Sequence, residues 1–157
     1  MKLPIARTIL AGLVTAFALP SPIAASEPIG KIGLESIASI GASRTQAERG
    51  LAGRDFQTIE GRDGVVMLIA DELTVGLCGS VYTVSRHLGK ESSDGLAAVL
   101  YISSLVGPPI AETTDVVGGA SGLTFSWPAL ADYSVTIIKN EHGWNASEAI
   151  MRLSICR

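Results

Sequence analysis

The chain has no surplus of positive charge. Twelve Lys and Arg stand against fifteen Asp and Glu, for a formal net charge of −3. Nucleic-acid binding needs a basic face, and this balance argues against one. No apolar run reaches the roughly 20 residues needed to span a bilayer core of about 30 Å. Only two cysteines occur, with no Cys-x-x-Cys spacing, which argues against dithiol redox chemistry. No Gly-x-Ser-x-Gly elbow exists, because Gly119-Ala120-Ser121-Gly122-Leu123 fails at its last position. Without that elbow, the serines cannot be ranked as nucleophiles. The same glycine-rich stretch lacks the Lys-Ser/Thr and the helix signal of a phosphate loop.

What is present is a globular composition. Apolar residues make up 47% of 157, enough to offset the ordering entropy that keeps polar chains disordered. Seventeen Gly and seven Pro argue against a long helical bundle or coiled coil. The length suits one domain with an appended segment.

Residues 1–25 read as a secretory signal. Lys2 and Arg7 form a positive start, and Ile9 to Leu19 is an uncharged apolar run. Pro20 and Pro22 break that run, and Ala24-Ala25 offers small residues for cleavage after Ala25 or Ser26. The alternative is an uncleaved N-terminal anchor. No Cys follows the apolar run, so a lipoprotein is not expected. Removing Lys2 and Arg7 takes the basic count from 12 to 10 against 15 acids, a net charge of −5. That favours solubility and disfavours adhesion to an anionic membrane. The expected location is periplasmic or secreted.

Export makes the cysteines informative. Cys78 and Cys156 can pair in an oxidising compartment, closing a loop of 78 residues. Such a loop is worth on the order of 4 kcal/mol by chain entropy, less any native strain. Cys78 is out of phase with Leu73, Val75 and Leu77, and Cys156 with Met151, Leu153 and Ile155. The bridge is therefore expected at a sheet edge or rim. A metal site on two Cys is weak, since only His87 and His142 could assist. No metal and no cofactor is expected.

The fold class expected is mainly β: an antiparallel β-sandwich of about seven short strands, with a short N-terminal helix or arm. Residues 26–54 form that helix or arm, with Leu34, Ile37, Ala38 and Ile40 at helical spacing and Gln46 to Leu51 able to extend it. Residues 55–157 form the sandwich. Phe56 to Glu60 and Val65 to Ala70 read as a hairpin around Gly61–Gly64. Leu73–Cys78 and Gly79–Leu88 follow as strands, then a polar turn from Gly89 to Gly95. Leu96–Leu105 is a nearly continuous apolar run, a strand buried on both faces or a buried helix. Val99, Tyr101 and Ile102 tilt it to strand. Gly107–Gly122 reads as a long loop. Leu123, Phe125 and Trp127 alternate with polar residues, as do Tyr133, Val135 and Ile137, and Met151, Leu153 and Ile155.

Phe125 to Gly143 resembles the penultimate hairpin of a family of exported domains of no established activity, with a transthyretin-like β-sandwich. Phe125 and Tyr133 keep that family's spacing, Val135 and Ile137 match its strand, and Glu141 and Gly143 fall in its acidic turn. Leu96 to Ser103 resembles an earlier strand of the family. Trp127-Pro128, Ala131, Lys139 and Asn140 depart from its pattern. The resemblance implies a fold and no chemistry.

The candidate binding residues are Trp144, Glu141, His142 and Asp132. Glu141, His142 and Asp132 could ligate a cation, against the plainer reading of turn residues. Trp127 and Tyr133 fall on core faces, which leaves Trp144 as the aromatic expected to be exposed. His87 could act as a base with Ser80 or Ser85, or simply sit at a strand end. The Gly107–Gly122 loop and the Asn140–Asn145 turn are the expected contact surfaces. Three functions remain open. The first is a binding or structural accessory of the cell envelope whose partner is a protein or small ligand. The second is a small hydrolase or metal-dependent enzyme using His87 or His142. The third is an inhibitor or immunity-type protein acting through an edge strand.

Overall fold

The computed structural model describes residues 29–116 and 120–156. The expected signal, residues 1–25, lies outside the described residues. The first described elements are two short helices, α1 (Lys31–Ile37) and α2 (Arg44–Gly50). The helical pattern therefore divides in two. Gly41 adopts φ +87, a left-handed backbone that breaks the first helix from the second. Ser43 then caps α2, with its hydroxyl accepting from the Gln46 N–H and the Gln46 side chain accepting in return from the Ser43 N–H. Leu34, Ile37, Ala47 and Leu51 are buried, so α1 and α2 each dock one side on the core.

Eight strands follow: β1 (Gln57–Glu60), β2 (Val65–Ala70), β3 (Leu73–Cys78), β4 (Ser80–Gly89), β5 (Ile110–Val116), β6 (Ala120–Ser126), β7 (Tyr133–Asn140) and β8 (Gly143–Met151). Between β4 and β5 runs α3 (Ser92–Val106). All eight strands join one antiparallel sheet in the order β1-β2-β3-β4-β8-β7-β6-β5. The mainly antiparallel β class holds. The expected pair of facing sheets is replaced by a single ladder, with helices packed against its buried face. Two meanders, β1–β4 and β5–β8, meet at one seam where β8 pairs with β4.

The buried face follows the period-2 pattern. Leu68, Val75, Val84, Ile150 and Tyr133 stand in one cross-strand row, each buried. A bulge at Tyr82 shifts the register, so that Leu77 pairs with Val81 while Val75 pairs with Val84. Val81 and Val84 thus both reach the core, although three residues apart.

Two expectations are corrected. Leu96–Leu105 is helical, within α3, rather than a strand. Fifteen residues far exceed a typical strand of about 5–6. Glu91 and Asp94 cap each other's backbone N–H groups at its start, and Gly107, at φ +94, stops it. Those signals outweigh the β preference of Val99 and Ile102. The Gly107–Gly122 stretch is mostly a hairpin rather than a loop, with β5 returning as β6; residues 117–119 lie outside the described set. β8 also starts earlier than expected. Asn140 pairs with Gly143 around a two-residue turn of Glu141 and His142, so Trp144 and Asn145 are strand residues. After Met151 the chain does not extend as a strand but forms a 3-10 turn, Leu153–Cys156.

Candidate functional site

The site grows from α3 and the sheet beneath it. Gly95, Ala98, Val99 and Ile102 face inward. Gly95 allows the close approach, since a Cβ there would stand 2.5 Å from Ile137 Cγ1 and 3.0 Å from Ala146 Cβ. The outward face is apolar too. Leu96, Leu100, Tyr101 and Leu105 are exposed, Leu100 by 71% and Leu105 by 64%. No charged residue occurs from Gly95 to Gly107. A helix apolar all round normally has both faces covered.

Beside α3 the sheet face continues past the helix. Ala146, Ile137, Leu123 and Thr113 form one row across β8, β7, β6 and β5, and Trp144, Lys139, Ser121 and Asp115 the next. Between this face and Leu96 lies a groove of about 460 Å³, walled by Leu123, Phe125, Ile137 and Trp144. That volume falls in the range of small-ligand sites. Lys139 is the one charged residue on its wall, and its Nζ sits 5.5 Å from the Trp144 ring centroid. A second, smaller cavity of about 280 Å³ lies at the other end of α3, between Ile29, Ile32, Tyr101, Leu105 and Leu130.

The expected site residues fare unequally. Trp144 is 41% exposed and lines the groove. Glu141 and His142 form the exposed tip of the β7–β8 hairpin, 3.3 Å apart, with the His142 N–H donating to Asn140 Oδ1. Asp132 lies at the opposite end of β7, eight strand residues away. There it accepts from Arg152 Nε at 3.1 Å, while its carbonyl accepts from the Met151 N–H. The three do not converge, and no cluster of three or more His, Cys, Asp or Glu suited to a metal occurs among the described residues. His87 projects from the other face of β4, where Nδ1 meets Asn145 Oδ1 at 3.2 Å. The groove contains neither histidine.

Cys78 and Cys156 are bonded, with Cα atoms 5.3 Å apart. Cys78 ends β3 and Cys156 lies in the last 3-10 turn, so the bridge ties the C-terminal segment to the rim of the sheet.

Sequence reasoning missed a buried polar cluster. Glu148 on β8 is 0% exposed. Its Oε1 accepts from Arg86 Nε and Nη2 on β4, and its Oε2 accepts from Tyr133 Oη and the Gly30 N–H. Burial, then the Glu148 charge, push the Tyr133 phenol well above its ordinary range. The signal was available: Arg86 shares the phase of Val84, and Glu148 the phase of Ala146 and Ile150, so each strand carries a charge at a core position. The cluster is fully internal and joins four segments, so it serves structure. Trp127 packs beside it, its ring centroid 5.7 Å from that of Tyr133.

The chain matches no protein-family model, and no curated protein or solved structure resembles it at a significant level.

Proposed function

We propose that this chain is an exported, disulfide-pinned binding module or structural accessory of the cell envelope, working through the outer face of α3 and the groove beside it. The observation that carries the reading is α3 itself: Leu100 and Leu105 face solvent on a helix whose other side is already in the core. A contiguous apolar surface of this kind marks an interaction site. The Cys78–Cys156 bridge is compatible with an oxidising compartment, as export would provide.

Intact mass of the protein recovered from the envelope, before and after reduction and alkylation, tests the first half. Loss of residues through Ala25 or Ser26, with alkylation only after reduction, supports it; a full-length chain with two free thiols overturns it. A photo-crosslinking residue at Leu100 tests the second half. Adducts in cells at Leu100, and none from a matched probe at Ser85, support the surface; equal labelling at both overturns it.

The hydrolase reading gains little support. Ser147, the cross-strand neighbour of His87, lies five residues along the chain from His142, so the two imidazoles have no common pocket to serve. The inhibitor reading has one observation in its favour, the seven-residue edge strand β5. Glu112 and Asp115 place charge on that edge, which discourages strand addition.

A further inference from the structure

The groove beside α3 combines an apolar channel with a single cation at its mouth. Leu96 forms one wall, Leu123, Phe125 and Ile137 the floor, and Trp144 the far side. Lys139 lies against Trp144 and makes no ion pair among the described residues. On the same sheet face Asp115 stands two strands over, with Ser121 between, and Glu141, two residues along the chain from Lys139, sits at the solvent-exposed hairpin tip with His142 3.3 Å away. We propose that this groove binds one single-chain anionic amphiphile, a free long-chain carboxylate, with the alkyl tail between α3 and the sheet and the head group on Lys139. The inference rests on the reading of the α3 surface as a binding site and names its ligand.

Three observations support that ligand. At about 460 Å³ the groove has room for one alkyl chain, and its wall is apolar apart from hydroxyls and Lys139. The charge is complementary: one ammonium, at the rim, where a carboxylate can stay partly hydrated while its tail leaves water. The cation is also solitary. Attachment to an anionic bilayer draws on clusters of basic residues, and this mouth offers one. A free amphiphile therefore fits better than a membrane surface.

The test uses the mature oxidised protein, with dodecanoate, dodecyltrimethylammonium and dodecyl maltoside as probes below their micelle concentrations. Calorimetry gives affinities, and amide and indole resonances give location. The expected result is one dodecanoate per chain, with shifts at Leu96, Leu123 and the Trp144 indole, and weaker binding of the other two. Lys139→Gln should weaken dodecanoate about fivefold, the upper end for an exposed charge pair. Lys139→Glu should reverse the preference toward dodecyltrimethylammonium. Lys139 is exposed, so both variants should keep the wild-type melting temperature, and Leu123→Asp supplies a block on the tail side. Equal affinity for all three head groups overturns the proposal, as does binding that leaves Leu96, Leu123 and Trp144 unshifted. Binding to anionic vesicles without binding to free dodecanoate also overturns it. Specific crosslinking at Leu100 with no dodecanoate binding defeats the ligand assignment alone, whereas unspecific crosslinking defeats the surface reading beneath it.

Discussion

Arg86 on β4 donates from Nε to Glu148 Oε1 on β8 at 2.8 Å, with both side chains buried at the seam between the two meanders. Removing a charge from water costs several kcal/mol, and the pair is tolerable because Tyr133 and Gly30 satisfy the second carboxylate oxygen. Arg86→Met should cost about 3–5 kcal/mol, because it leaves Glu148 buried without its counter-charge. The double variant Arg86→Met, Glu148→Leu should recover part of that loss, the remainder reflecting the Tyr133 hydroxyl and the Gly30 N–H left without an acceptor. Urea denaturation of the two single variants and the double variant closes the cycle; additive losses would contradict it.

Tyr133 sets a pH dependence. Its folded-state pKa lies above the ordinary value, first through burial and then through Glu148, with Arg86 opposing. A raised value means that the folded state holds the proton more tightly. That stability is complete below the unfolded value near pH 10 and is lost as pH rises toward the folded value. Tyr133→Phe should lose about 1–3 kcal/mol at neutral pH by orphaning one hydrogen bond to a buried carboxylate. Its melting temperature should then fall less steeply than that of wild type between about pH 9 and pH 11. Parallel slopes would contradict this.

The disulfide should contribute about 2–4 kcal/mol. Cys78→Ser with Cys156→Ser should lower the denaturation midpoint accordingly. The same loss should follow reduction of the wild type, and reduction should leave the double variant unaffected.

Gly95→Ala tests how closely α3 is seated. In an open helix the change gains about 1 kcal/mol. Here the new methyl meets Ile137 and Ala146, so a net loss of about 1–3 kcal/mol is expected, with shifted resonances along the groove. Unchanged or increased stability would show that the helix can retreat freely.

The sequence disclosed what a one-sided pattern can disclose. β3 and β7 bury their apolar residues at alternate positions, Leu73, Val75 and Leu77 in one and Tyr133, Val135 and Ile137 in the other, while β6 keeps the same alternation but leaves Leu123 exposed. The Cys78–Cys156 pair was legible from count and phase. α3 was not, because Leu96, Leu100 and Leu105 fill the face that would normally be polar and erase the helical contrast. β5 was hidden for the opposite reason: as an edge strand it mixes Glu112, Thr113, Thr114 and Asp115 without an apolar repeat. The groove combines both failures, since one wall is the misread helix and the other belongs to strands meant for a sandwich core. Trp144 was the one residue of it that stood out, as an aromatic in a polar stretch.

The seam between β4 and β8 also divides the polypeptide into two pieces of nearly equal weight. A protease cutting the polar turn at Lys90 would leave Cys78 in one fragment and Cys156 in the other. The nicked molecule would stay covalently whole under oxidising conditions, and after reduction the two fragments would be joined only by the β4–β8 ladder and the packing around it, so the continuity of the backbone and the integrity of the fold become separate properties.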